Sequence, residues 1–464
     1  MSTLYNEDLA PLSKDKRTWG WFEIFNVWSN DIQSLFGYTL AASLFLTYGL
    51  SGWSVFSGII VAGVFVMVLV NLMGKPSVEH GIPFPVMARV SMGVRGANFP
   101  AVLRAIVAIF WYGAQTYFAS TAVALLLRSF FPDTVATLLG MTAIDWVSFL
   151  IVWSFQVALF MRGIDMISKF LNFAGVLVYV IMIALTIILF VSAGGATLIT
   201  EIGTIFTGIG NYTGSSLGAW FTVVGTMIAY FAAVVINYGD FSRFVKSEKA
   251  MRTGNLLGLP LNIAFFSLIA LIITAGTVVV FGETITNPTD IIDAVDYLPL
   301  TVVAAIAFFF ATVGINLVAN FIPPAYDLAN LSPARINFKV GGLITSAFAL
   351  VIGGLWVSLV SQIGIFNFVN TFGAVLAPIY GIMMVDYYMV KNQTLNVDEL
   401  FNASEDGKYY YDNGWNRRAL LAFILPAVFS LATVWMPALS FLNGFGWVIG
   451  AALGGIIYYA IAKK

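Results

Sequence analysis

The sequence predicts an all-α integral membrane protein with twelve transmembrane helices. The first observation is composition: of 464 residues, 59% are hydrophobic and 10% charged, against about 25% charged in soluble domains. The second is length. Apolar windows long enough to cross a bilayer, about 20 residues each, recur near 22–48, 52–74, 99–128, 144–161, 167–193, 218–242, 257–281, 299–322, 339–361, 364–390, 418–436 and 440–462. The third is charge asymmetry, since basic residues gather in alternate connections.

Lys14, Lys16 and Arg17 precede the first window. Placing them in the cytoplasm puts Lys75, Arg89, Arg95, Arg162, Lys169, Arg243, Lys246, Lys249, Arg252, Arg335, Lys339, Lys391, Lys408, Arg417 and Arg418 on the same side, with Lys463 and Lys464 at the end. The opposite connections hold Arg128 as their one basic residue, together with Glu283, Asp290, Asp293 and Asp296. The positive-inside rule therefore predicts a multi-pass protein of the cell membrane with both termini cytoplasmic. The polar start, Met1-Ser2-Thr3-Leu4-Tyr5, has no signal-peptide core, so the first span is expected to direct insertion. Zero cysteines exclude disulfides, thiolate metal sites and thiol catalysis, and the one histidine, His80, falls in a connection. A net charge of −1 without a basic stripe offers nothing to nucleic acid. No connection is long enough for a catalytic domain. The Gly- and Pro-rich one, His80-Gly81-Ile82-Pro83-Phe84-Pro85, is expected to be irregular and to pack beneath the bundle.

Within the first window, Trp28-Ser29-Asn30-Asp31-Ile32-Gln33-Ser34 breaks the apolar pattern. Polar groups facing hydrocarbon are costly, so this stretch faces a cavity or a partner. Ser, Asn and Asp also compete with helical hydrogen bonding, which favours local unwinding here. Asp31 reads as the one ionisable residue near mid-depth, and such a residue is a functional-site hypothesis. A polar contact that merely glues helices together is the plainer alternative.

Span three carries Trp111 and Gln115 on one helix face. An indole plane beside a carboxamide suits a flat ring bearing amide groups, which stacks on one and exchanges hydrogen bonds with the other. Span eight repeats the carboxamide theme with Asn316 and Asn320, followed by Pro323 and Pro324, which are expected to distort the helix. Span six carries Tyr230 and Phe231, and ends with Asp240 and Arg243, expected to form an ion pair.

At these residues the sequence resembles the nucleobase–cation symporter family, whose members carry hydantoins, allantoin, uracil and cytosine. The resemblance runs through Asn6-Glu7-Asp8-Leu9-Ala10-Pro11, Arg17-Thr18-Trp19, Gly81-Ile82-Pro83-Phe84-Pro85, Trp111 with Gln115, Asn237 to Arg243, Asn320 to Asp327, and Tyr411-Asp412-Asn413-Gly414. It implies a leucine-transporter-like fold with inverted five-helix repeats, two extra helices, and broken first and sixth helices. The corresponding divisions are 1–21 (cytoplasmic segment), 22–193 (spans one to five), 218–390 (spans six to ten) and 418–464 (spans eleven and twelve). Trp111 matches a stacking tryptophan, and Gln115 and Asn320 match carboxamides that bind the substrate's amide edge. Phe231 falls where the hydantoin carrier has a second stacking tryptophan, and Tyr230 where a small residue is common. Asn30, Gln33 and Ala311 fall at backbone carbonyls of a sodium site. Gly314 and Ile315, however, replace the Ser and Thr whose hydroxyls complete it.

The resulting expectation is a secondary transporter, not an enzyme, with no cofactor beyond a coupling ion, H+ or Na+. It would import a nucleobase or ureide ring by symport, with Trp111, Gln115, Tyr230, Phe231, Asn320 and Gln33 around the substrate. Asp31, Asn30, Gln33, Ala311 and Gly314 would serve the cation. The alternative is a channel or facilitator for small polar solutes. For Asp31 three roles stay open: a proton carrier, because desolvation disfavours a carboxyl's charged form; an oxygen that rebuilds the sodium site; or a structural hydrogen bond.

Overall fold

The first apolar window folds as two helices, α1 (Trp21–Ile32) and α2 (Leu35–Thr47), in a computed structural model that describes residues 4–47, 50–192, 194–208 and 214–462. Met1, Ser2 and Thr3, the expected ends of spans one and five at Tyr48 and Ala193, and Lys463 and Lys464 lie outside the described residues. Ser34 explains the interruption. Its Oγ accepts the Gly37 N–H at 2.8 Å and its carbonyl accepts Tyr38 N–H at 2.9 Å, so it caps a new helix.

The chain continues through α3 (Gly52–His80), α4 (Phe84–Met92), α5 (Asn98–Arg128), α6 (Ala143–Met161), α7 (Ile164–Ser192), α8 (Ala196–Gly208) and α9 (Ser216–Ile236). Then come α10 (Glu248–Phe281), α11 (Pro288–Val295), α12 (Leu298–Leu331), α13 (Phe338–Gly354), α14 (Ile365–Val390), α15 (Arg417–Trp435) and α16 (Gly446–Ala462). No β-strand forms among the described residues. Each of the twelve apolar windows falls on one of these helices, the first on the α1–α2 pair. By length and apolar composition, 7 helices among the described residues can cross a membrane: α3, α6, α9, α10, α12, α14 and α15.

Three findings differ from expectation. The sixth helix is not broken near its aromatic pair, because α9 runs unbroken from Ser216 to Ile236 and the chain turns only at Asn237 and Tyr238. The run Ile228-Ala229-Tyr230-Phe231-Ala232-Ala233 contains no proline, glycine or capping side chain to stop a helix. The Gly- and Pro-rich connection after α3 is not irregular throughout, since Phe84–Met92 forms α4 with every residue buried. In α12 the distortion lies before the prolines, as a π-helical turn over Asn316–Phe321, and Pro323 and Pro324 sit in the first turn of the helix that resumes there.

The segment before α1 straps the ends of α3, α9, α12 and α13 together. Asn6 donates to the carbonyls of Pro333 and Ile336, and the Asp8 carboxylate accepts the Phe338 N–H at 2.8 Å. Arg243 donates to the carbonyls of Asp8 (2.8 Å) and Ala10 (2.6 Å). It makes no ion pair with Asp240, whose Oδ1 accepts the Phe84 N–H instead. Backbone carbonyls of the strap came closer to the guanidinium than the carboxylate did. Arg243→Leu should therefore free the strap, removing hydrogen bonds worth about 1.5–3 kcal/mol each for a charged donor. Limited trypsin digestion at Lys14 to Arg17 should become roughly tenfold faster or more.

Candidate functional site

Residues of α2, α5, α9 and α14 converge on Trp111. The Phe36 ring centroid lies 4.8 Å from it at 68°, Phe368 4.9 Å at 74°, and Tyr230 5.7 Å at 80°. These are edge-to-face contacts, the arrangement that aromatic quadrupoles favour. Phe231 joins the set through Tyr230, 4.9 Å away, and leans on Trp28 of α1 at 6.4 Å. The Tyr230 and Ser34 hydroxyls are 3.3 Å apart, which ties the aromatic cluster to the α1–α2 break.

One turn along α5, Gln115 is fully buried, and neither its oxygen nor its nitrogen has a hydrogen-bond partner. Leaving both ends of a buried amide unmade is costly, and such a group calls for an explanation. The α12 carboxamides are held close by. Asn316 donates to the Tyr112 carbonyl (3.2 Å), to Thr116 Oγ1 (3.0 Å) and to Gln156 Oε1 (2.9 Å), which fastens the π-helical turn to the turn of α5 that carries Gln115. Asn320 donates to Asn316 Oδ1 at 3.1 Å.

The expected cation residues separate into two groups. Gln33 points toward α7, where Nε2 donates to Ser29 Oγ (3.1 Å) and to the Gly175 carbonyl (3.3 Å), away from the aromatic cluster. Asn30 also faces α7, with Nδ2 donating to the Leu171 and Asn26 carbonyls, both at 2.8 Å. Its Oδ1 lies against Gly314 of α12, where an added Cβ would stand 2.2 Å from it. Ala311 is buried on the same helix. A hard cation asks for several oxygen ligands. Position 314 offers no hydroxyl, Ile315 none either, and an amide already fills the hole, so these residues do not fit a sodium ion of the expected kind.

Asp31 is buried, its Oδ2 has no partner, and the charged group that acts on it is Arg104. The single-residue reading of the first helix missed this arginine. Arg104, fully buried in α5, donates to the carbonyls of Ala233 (3.0 Å) and Ala319 (2.6 Å) and to Asn237 Oδ1 (2.9 Å), while Nη1 has no partner. Asp240 and Asp327 act on the same guanidinium, both fully buried, and Asp327 has no partner for either oxygen. No ion pair within 4 Å forms among them. A lone arginine in the run Ala101-Val102-Leu103-Arg104-Ala105-Ile106 was the available signal.

Residues 11–461 match a family model described as permease for cytosine/purines, uracil, thiamine, allantoin. The chain is 34% identical to an allantoin permease of Bacillus subtilis, over 99% of this chain and 93% of that one. It is 29% identical to a purine-uracil permease of Arabidopsis thaliana, over 100% of this chain and 78% of that one. Among solved structures it resembles Mhp1, a nucleobase-cation-symport-1 family transporter, in a closed conformation with bromovinylhydantoin bound. There the TM-score is 0.82 at 22% identity, covering 99% of this chain and 95% of that one, a likeness of fold.

A consequence for stability follows from the unpaired amide. Replacing Gln115 by Leu, of similar volume, removes polar atoms that nothing in the fold satisfies, so thermal unfolding of the ligand-free protein should be unchanged or up to about 1–3 kcal/mol more costly. A clear drop in melting temperature would show that the amide serves the fold.

Proposed function

Since the chain belongs to the family of permeases for cytosine/purines, uracil, thiamine and allantoin, we propose that it imports a planar amide ring of the uracil, cytosine, allantoin or hydantoin type by symport with a cation. It is a multi-pass membrane transporter and not an enzyme. The observation that carries the substrate reading is Gln115: a buried carboxamide with both ends free, one turn from an indole ringed by aromatic groups. A ring with adjacent N–H and C=O groups offers the donor and acceptor that this amide needs. Trp111 stacks the ring, Phe231 and Tyr230 wall it, and Asn320 takes its far edge. Gln33, on the α7 side of the break, contributes to helix positioning more than to the ring.

The same reading keeps the twelve-span arrangement, with residues 22–193 and 218–390 as the two repeats and 418–464 beyond them, in a cell membrane with both termini inside. The coupling ion in this reading is a proton. Gly314 and Ile315 lack the hydroxyls of the expected sodium site, whereas Asp31 sits beside the α1–α2 break with a free oxygen. A carboxyl that opens alternately to each side can load a proton outside and release it inside, with Arg104 as the charge it meets.

Two measurements test this. Ligand titration with uracil, cytosine, allantoin and hydantoin should give binding that Gln115→Ala or Asn320→Ala each weakens by about 1–3 kcal/mol, the cost of a lost buried hydrogen bond. Unchanged affinity in both folded variants would refute the site. Uptake into proteoliposomes should be driven by an imposed proton gradient and not by a sodium gradient alone. Asp31→Asn should abolish accumulation while leaving exchange of bound substrate.

A further inference from the structure

The place where Asn30 meets Gly314 carries an inference about how helix one is held. At Gly314 an added Cβ would come within 2.2 Å of Asn30 Oδ1 and 3.0 Å of its Cγ, so the carboxamide occupies the space of a side chain at 314. The other end of that amide is committed to α7, where Nδ2 donates to the Leu171 carbonyl at 2.8 Å as well as to Asn26 within α1. Those two bonds fix which end of the amide is nitrogen. One turn on, Gln33 Nε2 donates to the Gly175 carbonyl at 3.3 Å. Gly175 itself admits α1 closely, since a Cβ there would stand 3.0 Å from Asn26 Oδ1 and 3.1 Å from Asn30 Nδ2.

The electropositive ends of two amides thus sit on carbonyls of α7, and the oxygen of one, which has no donor, fills a gap in α12 by packing alone. We propose that Asn30, with Gly314 as its socket, is a built-in tie that joins α1 to α7 and α12 in place of a bound cation, making the packing of helix one independent of sodium. This deepens the proton-coupled reading above and rests on it for its consequence in transport. Its test involves neither substrate nor gradient, so the two can fail separately.

The test is thermal unfolding of the purified full chain, followed by tryptophan fluorescence, in equal concentrations of sodium chloride and choline chloride. The wild type should melt at the same temperature in both salts. Gly314→Ala should lower the melting temperature by driving a methyl group into the Asn30 oxygen. Asn30→Ala/Gly314→Ala should lose clearly less than the sum of the two single losses, because the clash is gone once the amide is. Asn30→Ala/Gly314→Ser/Ile315→Thr, with the socket emptied and two hydroxyls supplied, should acquire a sodium-specific rise. A saturable sodium-specific rise in the wild type that Asn30→Ala removes would overturn the proposal and make Asn30 an ion ligand. Strict additivity of the two single losses would also overturn it. Should the Gly314 variants fail to fold, the salt comparison on the wild type and Asn30→Ala decides alone.

Discussion

A helix that carries Asn26, Ser29, Asn30, Asp31 and Gln33 cannot lie against lipid, and the bundle is arranged around that constraint. Every side-chain amide N–H set on α1 finds a carbonyl: Asn26 that of Phe22, Asn30 those of Asn26 and Leu171, Gln33 that of Gly175. The oxygens fare differently. Asn26 Oδ1, Asn30 Oδ1, Asp31 Oδ2 and Gln33 Oε1 are all buried without a donor. Helix one is therefore rich in free acceptors. The Gly175 and Gly314 backbones let α7 and α12 approach this polar face, where any larger residue would push them off.

Arg104 answers the same excess from the other side. Its bonds to Ala233, Asn237 and Ala319 make it a staple between α5, the end of α9 and the π-helical turn of α12. Its Nη1 has no partner, and the guanidinium feels the charge of three buried aspartates. Removing one partner from a buried set of charges costs far more than the set contributes as a whole. Arg104 is the cation whose charge Asp31, Asp240 and Asp327 all feel, without a direct ion pair to any of them. Protonation at any one carboxyl changes the balance felt by the other two.

How much of this was legible in the sequence differs residue by residue. The helices under the apolar windows were legible because apolar length specifies them, and the break in the first was legible because Ser34 follows a crowd of side chains that compete with helix. The sixth-helix break was an expectation from resemblance, and nothing in Tyr230-Phe231-Ala232-Ala233 supports it locally. Trp111 and Gln115 could be paired by helical spacing, but the contact with Tyr230 joins positions 119 residues apart and no local pattern encodes it. Arg104 was overlooked because one arginine barely alters the average of an apolar window, and the groups that make its burial bearable lie on other helices. Gln33 was assigned to substrate and cation from resemblance, and the direction of its side chain at a helix break was not legible locally. Its side chain follows α1 and Ser29, not α2.

The hinge at Gln33 and Ser34 also explains why an acid and an aromatic lid can act together. Asp31 is the last residue but one of α1, and Phe36, five positions later, is the second residue of α2. Phe36, Phe368 and Tyr230 all meet Trp111 at steep angles, so ring edges occupy the space where a flat substrate would stack on the indole. A substrate ring can take that place only when one of the three withdraws. Phe36 lies in the first turn of α2, directly after the helix break, where Ser34 Oγ caps the neighbouring Gly37 N–H. Any change in charge at Asp31 that tilts α1 against α2 moves Phe36 relative to Trp111. The Tyr230 and Ser34 hydroxyls, 3.3 Å apart, carry the same displacement to α9. In the proposed reading ion and substrate need not touch, because Asp31 and Phe36 stand on the two sides of one interrupted helix.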